Sequence, residues 1–352
     1  MMKFIQEKVV LKSGKEIDKF QMTNDTGMLV EVISLGATLT QVLVPDYEGK
    51  LENVILNWQD FNVYETNPGC FGSVIGRIGG RIGEAKVTLA GELYEFAKNS
   101  NGNTIHGGAV GYHTQLWQGK GSSSEDEVKV SFTYFSKDGE AGFPGNLEVK
   151  VDYILKNDNS LTIDYSATTD KETIVNLTNH AYFNLSGDAK RSVLDQEVVI
   201  HSDRYCELDS ELIPTGRFIS LDEDSVFDFR KAKAIGRDIH EKHEQLTIGS
   251  GYDHPWVLNG DKVAVEFYDK PSKRYMEVLT TAPGVVMYTM NHADHPLILG
   301  NGEPQKPRYA ACFETQQLPI GRKELFKENV ILKPEDTYKQ QTVFKFGVCD
   351  RA

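Results

Sequence analysis

Strict alternation of apolar and polar residues is the feature that most constrains this chain. In Val128-Lys129-Val130-Ser131-Phe132-Thr133-Tyr134 every second side chain is apolar. Successive side chains of a strand point to opposite faces, so one face of this segment meets a core and the other meets water. Leu147, Val149, Val151, Tyr153 and Leu155 alternate in the same way with Glu148, Lys150 and Asp152. After Asn157-Asp158-Asn159-Ser160 the pattern resumes at Leu161, Ile163, Tyr165 and Ala167, which reads as a hairpin closed by a tight polar turn. Shorter β-rich runs recur at residues 28–34, 39–44, 87–89, 198–201 and 275–280, set apart by Gly, Pro, Asn or Asp. The best helical stretch, residues 234–246, is short and mostly polar, which places it at the periphery. Gly121-Ser122-Ser123-Ser124 with Glu125-Asp126-Glu127 reads as an exposed hairpin loop. No repeat of fixed period and no Pro-rich or Gly/Ser-rich linker divides the chain. Many strands and few helices indicate an all-β sandwich.

With 39% hydrophobic and 25% charged residues over 352 positions, the chain can bury a sizeable core. Its formal net charge of −13 opposes binding to nucleic acid, whose affinity for proteins comes from Lys and Arg neutralising phosphates. The first residues lack the continuous apolar stretch of a signal peptide, and no later run is long and apolar enough to span a bilayer as a helix, so a cytoplasmic location without membrane attachment is expected. Cys70, Cys206, Cys312 and Cys349 are scattered, with no CxxC pair, and read as free thiols.

Polar groups set among β-rich, partly apolar surroundings single out five segments, because burying such groups without partners is costly. They are Gly76-Arg77-Ile78-Gly79-Gly80-Arg81-Ile82, Asn103-Thr104-Ile105-His106-Gly107-Gly108, Asn176-Leu177-Thr178-Asn179-His180-Ala181-Tyr182-Phe183-Asn184-Leu185, Gly251-Tyr252-Asp253-His254-Pro255-Trp256 and Cys312-Phe313-Glu314-Thr315-Gln316. In a strand Glu314 shares a face with Ala310 and Cys312, so its carboxylate is either paired or functional. His180 lies among asparagines whose amides can orient an imidazole; a hydrogen-bonded core histidine is the plainer alternative. The glycines after His106 suit either a loop drawn close to a ligand or a structural turn. Asp253 suits a ligand hydroxyl or a self-capping turn, and Arg81 suits a ligand oxygen or solvent.

Taken together and in this order, these segments resemble the signature stretches of the aldose 1-epimerase family over nearly the whole chain. The most specific are Asn-His-x-Tyr-Phe-Asn-Leu at 179–185 and Glu-Thr-Gln at 314–316, with further similarity at residues 139–145, 212–216 and 228–231. The resemblance implies a single large antiparallel β-sandwich domain across residues 1–352 that holds a small free sugar in an open cleft, as a monomer or homodimer. It implies Glu314 as the general base on the C1 hydroxyl and His180, protonated while Glu314 is ionised, as the general acid at the ring oxygen. It further implies Arg81, His106, Tyr182 and Asp253 as sugar contacts, and no cofactor or metal. This chain departs from the family at Gly80, where relatives often carry Asn, at Val286, where some carry Gln, and after Gln316, where Leu318-Pro319 replaces a Pro-Asp-Ala-x-Asn run.

Three rival readings follow from the same residues. His106, His180, Asp253 and Glu314 could form a metal site, although no HxH or HExxH spacing supports one, and the pairs His240/His243 and His292/His295 lie amid charges that suit a surface. A sugar-binding module without catalysis could use the same sandwich. An epimerase acting on hexose 6-phosphates would need a basic cluster in the cleft, for which Arg77, Arg308 and Arg322 are the available residues.

Overall fold

The computed structural model describes residues 2–108, 110–293 and 297–350; His295 of the second histidine pair lies outside these. Three large sheets, antiparallel in every ladder, hold most of the strand residues. The first is a five-stranded meander in sequence order from Lys3–Val10 to Leu51–Asn53. The second has nine strands, among them Glu127–Ser136, Leu147–Lys156, Ser160–Thr169, Tyr338–Val348, Arg274–Thr280 and Val265–Asp269 in spatial order. The third has five strands, ordered Pro214–Ser220, Ser202–Leu208, Asp253–Leu258, Gly284–Tyr288 and Cys312–Gln316.

The alternation read from the sequence is what joins these layers. Val128, Val130 and Phe132 are fully buried, and register pairs Phe132 with Val151 and Val151 with Tyr165, so apolar rows continue across neighbouring strands. The same face of the nine-stranded sheet backs both smaller sheets. Phe132 meets Phe20 of the first sheet edge-on at 5.7 Å, and Phe267 meets Phe313 of the third at 5.2 Å. A single apolar cluster therefore runs through all three sheets.

Two expectations are corrected. Gly121, Ser122 and Ser123 belong to the edge strand Gln118–Ser123, leaving only residues 124–126 as the loop. Backbone pairing needs no side chain, and the bare Gly121 admits the ring of Phe4, which a Cβ there would approach to 2.7 Å. The helix begins ten residues later than its polar stretch suggests: Glu244–Gly249 is the α-helix among the described residues, capped by the His243 side chain accepting from the Gln245 amide, while residues 235–237 form a 3₁₀ turn. His243 also lies 3.2 Å from Asp224, a structural position away from the cleft described below.

Candidate active site

The floor of the cleft follows from strand register. Asp253, Tyr288 and Cys312 stand side by side across three strands of the third sheet, and Pro255, Val286 and Glu314 form the next row. Because alternate residues point to opposite faces, Phe313, Val285 and Met287 enter the core, where they are at most 1% exposed, while Glu314 and Gln316 enter the cleft. Gln340 ties this edge strand to the opposite wall, donating from Nε2 to the carbonyls of both Thr315 and Leu177 at 3.0 Å.

That wall carries His180. Its backbone N–H donates to Ser73 O and its carbonyl accepts from Gly72 N, which seats the residue on the loop after Cys70. The residue is 5% exposed, and its imidazole stacks on Tyr182 at 4.9 Å and sets Nε2 3.5 Å from Glu314 Oε1. The neighbouring asparagines do not orient the ring as the sequence suggested. Asn179 and Asn184 spend their amide donors on Gly72, Tyr153, Arg191 and Tyr309, and His180 Nδ1 has no protein partner. Tyr182 lines the cleft with its ring, itself stacked on Phe71 at 4.1 Å, and its hydroxyl donates to Gly69 O.

The third wall is the pairing of Arg81 with Ile105, which brings His106 alongside. His106 Nδ1 accepts from the Gly80 amide at 3.2 Å, so the neutral ring carries its proton on Nε2. The His106 and His180 rings meet edge-on at 5.2 Å. The close approach depends on Gly107 at φ +78°, where a Cβ would collide with the Gly76 carbonyl. Arg81 Nη2 stands 4.0 Å from Asp253 Oδ2, and its Nε is buried without a partner. All six residues singled out from the sequence (Arg81, His106, His180, Tyr182, Asp253 and Glu314) thus line one cavity of about 340 Å³, near the small end of the roughly 300–1,000 Å³ usual for small-molecule sites. A larger cavity of about 600 Å³ on the outward face of the nine-stranded sheet, bounded by Thr133, Phe135, Glu148 and Lys150, contains no such acid–base pair.

Sequence reasoning gave no place in the site to Gln316, Tyr288, Cys70 or the exposed His292, all of which line the cleft. Gln316 was legible as the position two after Glu314 on the same strand face. The other three come from elements whose orientation only packing sets. Conversely, Arg77 is no ligand: it is 1% exposed and donates to Ser136, Pro144 O and Gly145 O.

Burial governs the charges. It lowers the His180 imidazolium to about 4 and raises the Glu314 carboxyl to about 8, with Asp253 adding to the second. Burial, with His180 and Arg81 nearby, holds His106 well below the usual histidine range, and burial raises Asp253 against the opposing pull of Arg81. At neutral pH burial therefore favours the form of the His180–Glu314 pair in which the carboxyl holds the proton and the imidazole is neutral. Ligand atoms of His106, His180 and Glu314 lie within 4.8 Å of one another, a cluster able to hold a metal; Asp253 stands outside it, facing Arg81. Neutral imidazoles suit a cation, whereas a carboxyl kept protonated by burial opposes one.

A carboxyl raised by burial has a consequence for stability. The folded state holds the Glu314 proton up to about pH 8, whereas the unfolded chain releases it near its ordinary value of 4.5, so folding stability drains away as pH rises between these values. Glu314→Gln removes that loss. The variant is expected to melt several degrees above the wild type at about pH 9, the gap closing toward pH 4, as read by thermal unfolding across pH.

The family model for aldose 1-epimerase matches residues 18–345. The chain belongs to the aldose 1-epimerase family. Among aldose 1-epimerase relatives, galactose mutarotase of Bos taurus is 36% identical over 335 residues, covering 94% of each chain. Aldose 1-epimerase of Streptococcus thermophilus is 36% identical over 315 residues, 86% of this chain and 87% of its own length. The solved structure of galactose 1-epimerase from Lactobacillus acidophilus superposes with a TM-score of 0.87 at 30% identity, covering 99% of both chains. No helix among the described residues of this aldose 1-epimerase family member is long and apolar enough to cross a membrane.

Proposed function

We propose that this cleft interconverts the α and β anomers of free aldohexoses such as galactose and glucose, with Glu314 and His180 as the acid–base pair. Family membership makes the chain a carbohydrate epimerase, an isomerase. The observation that carries the assignment of roles is the 3.5 Å approach of His180 Nε2 to Glu314 Oε1 at the bottom of a cavity sized for one small polar molecule. Mutarotation requires a proton removed from O1 and another delivered to O5. A sugar whose O1–H donates to Glu314 while O5 accepts from His180 favours the charged form of each group, moving the shared proton from carboxyl to imidazole. Glu314 then takes the O1 proton as the C1–O5 bond breaks, C1–O1 becomes the aldehyde carbonyl, and O5 receives the His180 proton. Rotation about C1–C2 and the reverse transfers close the other anomer. Arg81, His106 and Asp253 offer donors and an acceptor to the remaining hydroxyls, and Tyr182 offers a ring face. The steps move protons only, so they call for no cofactor. This reading takes residues 1–352 as one domain acting in the cytoplasm, as a monomer or homodimer.

A free sugar fits better than a 6-phosphate. Arg81 is the one Arg or Lys among the described residues lining the cleft, and it faces Asp253. Arg77 is enclosed by backbone carbonyls, Arg322 pairs with Asp209 and Glu211, and Arg308 donates to Thr289, Asn291 and Ser250. Polarimetry of freshly dissolved α-galactose, α-glucose and their 6-phosphates tests this. The free sugars should be equilibrated within about a hundredfold of each other in kcat/KM, because the apolar Val286 discriminates weakly, and the phosphates much more slowly. Preference for a phosphate would replace the substrate class, and no acceleration of any sugar would leave a binding module.

A further inference from the structure

Gln316 is 2% exposed, lines the cleft, and has neither its Oε1 nor its Nε2 hydrogen-bonded within the protein. Nearly every buried amide finds partners, since leaving one unpaired costs its desolvation outright. This amide is also held in place. It lies on the Gly79–Gly80 turn, where a Cβ at Gly79 would come to 2.5 Å from Oε1 and one at Gly80 to 3.1 Å from Nε2. The two glycines thus leave room for the group without bonding to it. Register puts Gln316 opposite Gly284, which has no side chain to shield it, and on the same strand face as Glu314, about 7 Å further along the strand.

We infer that Gln316 is a substrate-reading residue, whose amide donates to and accepts from hydroxyl oxygens of the sugar other than the anomeric one. The inference rests on the mutarotase reading for the identity of the ligand. The bound sugar supplies the partners that the protein withholds, so the desolvation of the amide is already complete when the sugar arrives. A sugar lacking the matching hydroxyl leaves the amide unpaired, and a site built to pair a hydroxyl discriminates strongly against its absence. Gln316 takes no part in the proton transfers, so the pH dependence of turnover belongs to Glu314 and His180 alone.

Gln316→Met, close in length and volume, tests this with three readouts. Kcat/KM for galactose should fall about tenfold to a hundredfold, with the limbs of the pH profile unmoved. The melting temperature should hold or rise, because replacing an unpaired buried amide by an apolar group of like shape is neutral or stabilising. Across 2-, 3-, 4- and 6-deoxygalactose, at least one sugar should be handled equally by variant and wild type, and it identifies the hydroxyl read. A lowered melting temperature with intact kcat/KM would make Gln316 structural, and an equal penalty for every deoxy sugar would remove its contact with the ligand; either result overturns the inference. Galactose titration calorimetry on both proteins separates this from the reading beneath it. A wild type that binds galactose without turning it over defeats mutarotation, and the variant's affinity still decides whether Gln316 reads the sugar.

Discussion

Glu314→Gln is expected to equilibrate galactose anomers about two to four orders of magnitude more slowly than the wild type, the range for a positioned acid or base, with KM little changed. Glutamine keeps the shape of the side chain and its place on the strand face beside Val286, so the sugar still finds its cleft. What is lost is the acceptor for the O1 proton, an interaction that matters in the transition state and hardly in the ground state, and such losses appear in kcat. The gain in alkaline stability expected for this same variant separates chemistry from folding: a slower yet more heat-stable protein is the signature of a carboxyl retained for catalysis at a cost to the fold. Turnover near the wild-type rate would remove Glu314 from the mechanism.

His180→Asn is expected to lose turnover on a similar scale while still binding sugar, and to change the form of the pH profile. In the wild type the two groups titrate as a pair, giving kcat/KM a bell whose limbs lie near 4 and 8. Below the lower limb both groups are protonated and Glu314 cannot accept; above the upper limb both are deprotonated and His180 cannot donate. The form active between them carries one proton, whichever group holds it at rest. With His180 gone only Glu314 titrates, its useful form is ionised, and the residual rate should climb through about pH 8 as a single ascending limb. The imidazole makes no hydrogen bond to the scaffold at Nδ1, and its Nε2 faces Glu314, so the variant should fold. A protein that merely unfolds would make His180 a structural histidine, and an unaltered bell would assign the limbs to other groups.

Much of the architecture is legible locally. The rows Val128, Val130, Phe132 and Leu147 to Leu155 declare their buried face by period two, and residues 147–155 pair with 161–169 as the hairpin read from the sequence. The errors fall where local pattern and environment part company. Residues 121–123 are short and polar yet pair as an edge strand, because a ladder is made of backbone groups. Residues 234–243 carry helix-compatible polarity yet turn irregularly around the buried Lys233, whose ammonium donates to the carbonyls of Ser225 and Val226 and to Asp238. Asn179 is rich in hydrogen-bonding capacity, but its amide donor goes to the Gly72 carbonyl and the Tyr153 hydroxyl, and its Oδ1, though free of partners, does not reach His180 Nδ1.

Local pattern was enough for the long alternating strands and their buried faces, and for the five segments whose side chains line the cleft. It was enough because alternation is a property of neighbours and because signature residues keep their chemical identity wherever they are placed. Only the tertiary structure decided that Glu314 and His180, from different walls, stand 3.5 Å apart, that Arg81 faces Asp253, and that Arg77 is buried in the scaffold. It alone decided the protonation of the pair, since desolvation depends on what encloses a group from every side. The unpaired amide of Gln316 has the same origin: whether a polar group finds a partner is settled by the segments that pack around it, and those come from distant parts of the chain.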